Sequence, residues 1–388
     1  MQILTADIGT GTQDIFLYDT RLDIENGFKL IVPSPTMIVH RRIKAATKRG
    51  QPILLRGVTM GGGPSHWATE DHLKAGHRVY ATPAAARSFN DDLSLAREMG
   101  IELVSEDEAL RLPDDVLRLE LRDFDFPAIR DAFAGFGVSL DNLDALCVAV
   151  FDHGNAPPNY SDRKFRFEYL DQRIQNENRL SAFAFPADDV PDIMTRMQAV
   201  ARSAQNVDAP LMVMDTAPAA VLGATLDPAV RARERVLIAN IGNFHTLAFR
   251  LGPSGIEGVF EHHTGFMSQV KMEELIGWFA EGTLTDDYVF DDKGHGARVR
   301  YGKPLPLTGE NAVVIAGPRR GMMQGSRLSP YFATPFGDMM LMGCFGMLAA
   351  LGDVFPNFRE PLAASLYSDT GRGTPPWEVP TTIVEPEQ

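Results

Sequence analysis

Acidic or amide side chains end four apolar stretches of this sequence. The four residues are Asp7, Asp152, Asp215 and Asn240. Each apolar stretch predicts a buried strand, and in α/β proteins the binding and catalytic groups lie at the carboxyl ends of strands. These four side chains are therefore candidate binding or catalytic groups. The alternative is that each side chain only caps the turn or helix that follows it.

A glycine- and threonine-rich turn follows Asp7. Gly9 and Gly11 allow backbone angles that other residues resist, so the turn can close tightly between two strands. Its N–H groups can then face an anion, and Thr10 and Thr12 add hydroxyl donors. Asp7 is placed to hold a metal ion through water. A plain β-hairpin without a ligand is the alternative interpretation.

The same pattern occurs once more in the chain. The apolar stretch from Val236 ends in Asn240, which is followed by Ile241, Gly242 and Asn243 and then by a second apolar stretch. Asp-x-Gly and Asn-x-Gly in matching positions are what a duplicated fold would produce.

Histidines lie next to several of these strand ends. His153 follows Asp152, His245 lies in the second hairpin, and His262 and His263 follow another apolar stretch. A neutral imidazole near a carboxylate suits general-base chemistry or a transition metal. Because the sequence has no HxxxH or HxH spacing here, we expect hydrogen-bonding or structural roles for the histidines taken singly.

Two further segments could bind an anion. Gly61–Gly63 precede a predicted helix, whose N–H groups could face a ligand, although a tight turn is the alternative. Arg319 and Arg320 could bind a phosphate or carboxylate, or could lie on a solvated turn. The turn at residues 60–65 also allows a different class of protein, a Rossmann-like enzyme. Against that interpretation, such enzymes have an acidic residue at the end of the next strand to bind the ribose, and none ends the predicted strand at 78–81.

The order of five segments resembles the superfamily of actin, the sugar kinases and the 70-kDa heat-shock ATPases. They correspond to phosphate loop 1, connecting helix 1, phosphate loop 2, the adenosine loop and connecting helix 2. The segments are residues 1–19, 211–227, 236–249, 312–321 and 336–351. The resemblance implies an α/β fold with two actin-like (ribonuclease H-like) domains around a central cleft.

The resemblance also implies a function and residue roles. The protein would bind a nucleotide or another phosphorylated small molecule in the cleft, with ATP and Mg²⁺ as cofactors, for phosphoryl transfer or hydrolysis. The catalytic residues implied are Asp7, Asp152 and His153, with Asp152 as general base. Asp7 and Asp215 would hold the metal. The residues implied to bind the nucleotide are Gly9, Thr10, Gly11, Thr12, Gly242, Asn243, Thr246, Gly317 and Arg319.

The second half departs from the superfamily pattern. Asn240 and Asn243 stand at acidic positions and lose the charge that binds Mg²⁺. Phe244 stands where glycine is usual, and Pro318 removes an N–H donor. Thr216 occupies the position of the heat-shock glutamate. A non-catalytic ligand-binding or activator protein that has lost ATPase activity therefore remains an alternative, and the sequence leaves open whether the protein is an enzyme.

The whole sequence is also similar to a prokaryotic family labelled pyruvate formate-lyase activating enzyme. An activase of the radical-SAM type holds an iron–sulfur cluster with three closely spaced thiolates. This chain has two cysteines, Cys147 and Cys344, far apart and both within apolar stretches. We therefore predict two buried core thiols and no iron–sulfur cluster, and reject the radical-SAM interpretation.

Composition limits the class of partner. The chain has 388 residues and a formal net charge of −14, so its surface repels nucleic-acid phosphates. The N-terminal apolar stretch is too short for a signal segment, and no stretch is long enough to cross a bilayer. These features predict a cytoplasmic protein that binds a small molecule, with no nucleic-acid or membrane partner. They leave protein partners open.

The chain divides into two predicted domains and a tail. Residues 1–227 form an N-terminal actin-like domain with an inserted segment near 155–180, and residues 228–360 form the C-terminal one. Residues 361–388 are rich in proline and acidic groups and are predicted to form a tail.

Within these domains, alternating strands and helices over residues 53–104 predict parallel strands. We also expect a strand at 36–39, irregular structure at 159–180, a loop at 284–306 and a helix at 336–351. From Pro356 onward the apolar periodicity is lost.

Overall fold

The structure is a computed structural model and describes residues 1–309, 312–368 and 375–379. The strands are β1 Gln2–Ile8, β2 Thr12–Asp19, β3 Phe28–Pro33, β4 Ile53–Gly57, β5 Val79–Ala81, β6 Glu102–Leu103, β7 Leu117–Leu121, β8 Ala145–Val150, β9 Ala184–Pro186, β10 Leu211–Asp215, β11 Val236–Ile241, β12 His245–Gly252, β13 Gly255–His263, β14 Gly296–Val299, β15 Val314–Ala316 and β16 Tyr331–Phe332. The α-helices are α1 Pro35–Arg49, α2 Pro64–Lys74, α3 Pro83–Ala86, α4 Leu93–Glu98, α5 Glu106–Arg111, α6 Phe126–Ala134, α7 Asp162–Asn176, α8 Thr195–Ser203, α9 Thr216–Ala224, α10 Pro228–Arg231, α11 Gln269–Glu281, α12 Asp286–Asp291, α13 Met342–Val354 and α14 Arg359–Leu366.

The first sheet has the strand order β3-β2-β1-β8-β10-β9. Strands β1 to β3 form an antiparallel meander, and β8 and β10 continue the sheet parallel to β1. Strand β8 is buried along its whole length, as expected for a parallel strand covered by helices on both faces. The carboxyl ends of β1, β8 and β10 therefore carry Asp7, Asp152 and Asp215 to one edge of the sheet.

The second sheet repeats this plan with the order β14-β13-β12-β11-β15-β16. Strands β11 to β13 are the antiparallel meander, and β15 and β16 are parallel to β11. When β9 and β14 are left out, the remaining five strands of each sheet, numbered along the chain, share the order 3-2-1-4-5: β3-β2-β1-β8-β10 in the first sheet and β13-β12-β11-β15-β16 in the second. This duplication, with Asp7 and Asn240 at matching strand ends, confirms the predicted fold of two actin-like domains around a cleft.

A third sheet is inserted between β3 and β8. It has four parallel strands in the order β6-β5-β4-β7 and its own apolar core. The alternating pattern of strands and helices predicted parallel strands in this region, and that prediction is confirmed.

Helices α9 and α13 cross where both carry glycine. A Cβ atom on Gly223 would lie 1.8 Å from the carbonyl oxygen of Met342, and one on Gly346 would lie 1.8 Å from that of Ala219. Only residues without a side chain allow the two backbones to approach this closely. Since α9 follows the first sheet and α13 follows the second, this contact fixes the two domains relative to each other.

Several local predictions are wrong. Thr36–Val39 belong to helix α1, which begins at Pro35 after an extended Ser34. Residues 162–176, expected to be irregular, form α7, and the expected loop at 284–306 contains α12 and β14.

The C-terminal predictions are also corrected. The helix predicted at 336–351 begins only at Met342, and residues 361–366, predicted to lie in the tail, belong to α14. Leu362 and Leu366 are buried there, so the apolar periodicity continues past Pro356. Residues 369–374 and 380–388 of the predicted tail lie outside the described residues.

Candidate functional site

A cleft of about 850 Å³, open to solvent, lies between the two glycine turns. In the first turn the Gly9 N–H donates to the Thr12 carbonyl over 3.0 Å, and in the second the Gly242 N–H donates to the His245 carbonyl over 2.9 Å. The predicted residues that line the cleft are Asp7, Gly9, Thr10, Thr12, Asn240, Gly242, Asn243 and Gly317. The two turns therefore face each other across one cavity.

Three of the predicted ligand-binding residues are placed differently. Gly11 faces the second turn, because a Cβ atom there would lie 2.8 Å from Asn243 Nδ2. Thr246 is fully buried, and its hydroxyl pairs with that of Thr264 over 2.9 Å. Arg319 is exposed and does not line the cleft, although its neighbour Pro318 does.

Asp7 and Asp14 form a carboxylate pair at the base of the cleft. They are directly opposite each other on β1 and β2, and both line the cavity. Burial, with the nearby charge of Asp215 and against a hydrogen bond from Thr216, raises the pKa of Asp7 to about 7. Burial and the charge of Asp7 raise the pKa of Asp14 to about 8. Two carboxylates with elevated pKa values in one cavity are typical of a cation site.

The surroundings fix this pair from two sides. The Thr216 hydroxyl donates to Asp7 Oδ1 over 2.5 Å, while a Cβ atom on Gly343 would lie 1.9 Å from Asp7 Oδ2. Asp14 Oδ1 is buried and has no hydrogen-bond partner among the described residues. Asp14 was not among the residues predicted from the sequence, although its position opposite Asp7 follows from the hairpin register.

Asp215, predicted to bind a metal, forms a buried ion pair instead. Its carboxylate accepts a short hydrogen bond from Arg166 and one of 3.1 Å from the Ala217 N–H at the start of α9. The Arg166 guanidinium is fully buried and also lies 3.5 Å from Glu261. Asp215 therefore acts on the site through charge and helix capping.

Asp152 is held by the backbone. Its two oxygens accept hydrogen bonds from the N–H groups of Gly154, Arg196 and Met197 over 2.8 to 2.9 Å. Burial, opposed by these hydrogen bonds, raises its pKa. Asp152 and His153 line a second pocket, which shares Gly9 and Thr10 with the cleft. The contacts of Asp152 favour a structural role, since they tie the end of β8 to the start of α8.

Four histidines meet beside this pocket. The ring centroids of His153, His245, His263 and His295 lie 4.7 to 5.9 Å from their neighbours in the group. Burial lowers the pKa of His295 to about 3, and burial with the neighbouring His245 lowers that of His263 to about 4. These two imidazoles are neutral at neutral pH, the form that binds a metal ion.

Glu261 is the acidic group of this histidine cluster. It is fully buried, with His245 Nδ1 at 3.1 Å and His295 Nε2 at 3.6 Å from its Oε1. Burial opposes its charge, but His295 and Arg166 hold its pKa below the usual range. Neither His295 nor Glu261 was recognisable from the sequence, because spacing along the chain does not reveal contacts between strands.

At the candidate anion site in the turn at residues 61–63, groups of the protein itself take the place of a ligand. The Gly61 N–H donates to both carboxylate oxygens of Asp123, at 3.1 and 3.2 Å, and Arg196 pairs with the same carboxylate. A Cβ atom on Gly63 would lie 2.4 Å from the ring of Phe244, which also packs on Trp67. The turn at 61–63 is therefore a packing surface for the second glycine turn.

The cysteines lie in the core. Cys147 is on β8 and Cys344 on α13, and both are buried and free. The Cys344 thiol donates to the Asp14 carbonyl over 3.1 Å, behind the carboxylate pair. Among the described residues, no helix has the length and apolar character needed to cross a bilayer.

A family model described as "Putative pyruvate format-lyase activating enzyme (DUF1786)" matches residues 60–322, which are 263 of the 388 residues. The chain belongs to this family. The matched region of this DUF1786 protein contains the four clustered histidines, Glu261 and the second glycine turn, and it begins after the first turn.

Comparison with other proteins adds little to this assignment. No curated protein matches the sequence significantly. The activator of the 2-hydroxyisocaproyl-CoA dehydratase from Clostridium difficile, solved with bound ADPNP, is 9% identical, with a TM-score of 0.34 over 95% of this chain and 99% of its own. An exopolyphosphatase-like protein is 10% identical, with a TM-score of 0.24 over 81% of this chain and 65% of its own. At these scores neither likeness bears on function.

Proposed function

We propose that this DUF1786 protein binds a nucleotide or another phosphorylated small molecule, together with Mg²⁺, in the cleft between its two domains. The observation that carries the proposal is the Asp7–Asp14 carboxylate pair between the two glycine turns. Hard divalent cations prefer oxygen ligands. Mg²⁺ keeps several of its waters and is bound by one or two carboxylates together with phosphate oxygens of the ligand. The unpartnered Asp14 Oδ1 is an acceptor that such a hydrated ion would satisfy.

The first turn supplies donors for phosphate oxygens. Ser34 binds two backbone carbonyls of this turn. Its hydroxyl donates to the Thr10 carbonyl over 2.5 Å, and its N–H donates to the Gly11 carbonyl over 3.1 Å. Because a trans peptide directs its N–H away from its C=O, the N–H groups of Gly11 and Thr12 are directed away from Ser34. With the Thr10 and Thr12 side chains on the cleft, these groups support an anion site.

If the ligand is ATP, phosphoryl transfer or hydrolysis is the reaction that this site supports. Mg²⁺ would neutralise charge that develops on the phosphates, and the two turns would hold the phosphates in place. The general-base role predicted for Asp152 does not enter this proposal, because backbone amides hold both of its oxygens. The activity in the family description does not enter either, since two cysteines cannot ligate an iron–sulfur cluster.

A second candidate function is ligand binding without turnover. The second turn favours it, because Asn240 and Asn243 carry no charge for Mg²⁺ and Phe244 stands at the cleft. The Phe244 ring packs on Trp67 with centroids 5.5 Å apart, so it is held in place by the inserted sheet's helix α2. In this case the ligand would signal by fixing the two domains relative to each other.

Thermal unfolding with and without ligands tests the proposal. ATP, ADP, sugar phosphates and inorganic phosphate are each added with and without Mg²⁺. A true ligand at a hundredfold excess over its Kd stabilises the folded protein by about 2.7 kcal/mol. We expect Asp14→Asn to abolish the Mg²⁺-dependent part of this shift and exposed Asp131→Asn to leave it unchanged.

Two results decide between the alternatives. Phosphate release from ATP in the wild-type protein, lost in Asp14→Asn, identifies an enzyme, whereas stabilisation without release identifies a binding protein. If none of the phosphorylated compounds raises the melting temperature at millimolar concentration, the proposed function is wrong.

A further inference from the structure

We propose that His153, His245 and His295 form a binding site for a divalent transition metal ion of the Zn²⁺ class, at the junction of the two domains. One ligand atom from each histidine can be chosen so that all three lie within 4.8 Å of one another. Zinc bound to three histidines has Zn–N distances of about 2.0–2.1 Å, which places the nitrogens about 3.3 Å apart. Small rotations of the imidazoles would therefore close the site around an ion.

The buried ring of His295 points independently to a cation site. Neither ring nitrogen of His295 has a hydrogen-bond partner among the described residues, whereas Glu261 is paired with Arg166 and His245. His295 is 1% exposed and Glu261 is fully buried. Leaving the buried His295 nitrogens unpaired costs free energy, and a bound ion would remove that cost. The ion would bind a ring nitrogen of His295 directly, and the negative charge of Glu261 would attract it.

The charges around the histidines favour a cation. Glu261, Asp152 and Asp215 are the buried carboxylates near the cluster. The cations that oppose them are Arg166, which is fully buried, and Arg196, which is itself paired with Asp123. Glu261 also lies beside His245 and His295, at 3.1 and 3.6 Å. Since an imidazole has two nitrogens, one can face a carboxylate while the other binds a metal, and this arrangement orients ligands in many metal sites.

The nature of the ligands selects the metal. Three imidazoles in a half-buried site suit zinc and its neighbours in the first transition row, whereas Mg²⁺ and Ca²⁺ prefer oxygen ligands. His153 and His245 also line the pocket beside residues 61–63, which gives the ion a path from solvent and leaves room for a further ligand such as water. Its ligands differ from the Asp7–Asp14 pair proposed for Mg²⁺, although His245 lines both the pocket and the cleft.

The ligands come from both domains. His153 follows β8 of the first sheet, while His245 begins β12 and His295 precedes β14 of the second sheet. An ion held by all three would tie the two sheets together beside the cleft. Metal binding should therefore stabilise the whole chain and reduce opening of the cleft.

Zinc titration of the chelator-treated, dialysed full-length protein tests this proposal. Isothermal titration with ZnCl₂ should show one tight site per chain, and Co²⁺ should give the visible absorption of a tetrahedral, nitrogen-rich site. His153→Gln and His295→Gln should each weaken Zn²⁺ binding at least tenfold. His66→Gln is the matched control, because His66 lies on α2 and pairs with Glu70 instead.

Folding is checked separately by circular dichroism and by the melting temperature without metal. If a histidine variant does not fold, Glu261→Gln replaces it, and we expect Zn²⁺ binding to weaken about 10- to 100-fold, as for other groups that orient metal ligands. Zn²⁺ binding that is absent in the wild type, or equal in the wild type and the folded variants, overturns the proposal. Nucleotide binding with Mg²⁺ is measured in the zinc-free protein, so failure of one site is distinguishable from failure of the other.

Discussion

Replacing Arg166 by leucine should destabilise the protein by about 4 kcal/mol, because removing one partner of a buried ion pair leaves the other charge uncompensated and typically costs about 3–5 kcal/mol. The guanidinium is fully buried and pairs with Asp215, whose side chain is 2% exposed, and with Glu261, which is fully buried. It also donates to the Asp152 carbonyl over 2.9 Å and lies 4.3 Å from the centre of the Phe151 ring.

Urea unfolding followed by circular dichroism, with EDTA present, measures this loss. The exposed Arg130, which pairs with Asp131, provides the control, and Arg130→Leu should change the free energy of unfolding by less than about 0.5 kcal/mol. Adding Asp215→Asn to Arg166→Leu should recover part of the loss, since asparagine can still cap α9. A loss below about 1 kcal/mol for Arg166→Leu would refute the conclusion that this ion pair supports the site.

Two further predictions concern the cleft and the helix crossing. In EDTA, the stability contributed by Asp7 and Asp14 should be lost as pH rises from about 4 to about 8, because their pKa values are raised to about 7 and about 8 and the folded state then holds protons that the unfolded state has lost. His263 and His295, whose pKa values are lowered, act in the opposite direction, so the aspartate contribution is measured as the difference between the wild type and Asp14→Asn in urea titrations. A difference that does not change with pH would contradict the raised pKa values. Gly346→Ala should lower the free energy of unfolding by about 2–3 kcal/mol, because its Cβ would lie 1.8 Å from the Ala219 carbonyl. In Gly277→Ala, on α11, the Cβ meets no atom within 4 Å, so this variant should raise the free energy of unfolding by up to about 1 kcal/mol. Equal melting temperatures for these two glycine variants would show that the helices do not cross as closely as described.

The duplicated fold was predictable because a short repeat carries it. Asp7-x-Gly9 and Asn240-x-Gly242 each end a strand and open a tight turn, and the glycine spacing is kept even though the side chains differ. The apolar strand β8 was equally clear, since a strand buried on both faces reads as one continuous apolar stretch.

Helix α7 was missed although its pattern was present. Phe167, Leu170 and Ile174 are buried at helical spacing, but the charged and polar residues around them include Arg166, which is buried in an ion pair. A buried charge looks like a surface residue in the sequence. It is explained only when its partner, Asp215, is brought close by the fold.

The histidine cluster could not be read from spacing. Its members come from the ends of different strands, and His295 lies in a segment that was predicted to be a loop. The register of β12 and β13 alone would have paired His245 with His263, but His153 joins them only through the contact between the two domains. Similarly, Asp14 is opposite Asp7 only when the first hairpin is given its register.

A crystal structure of the protein with Mg²⁺ and ADP tests the proposed ligand site most directly. We predict that the phosphates lie between residues 9–12 and 242–245 and that Mg²⁺ lies next to the carboxylates of Asp7 and Asp14, directly or through water. A nucleotide bound elsewhere, or a cleft that stays empty at saturating Mg²⁺ and ADP, would contradict the proposed function.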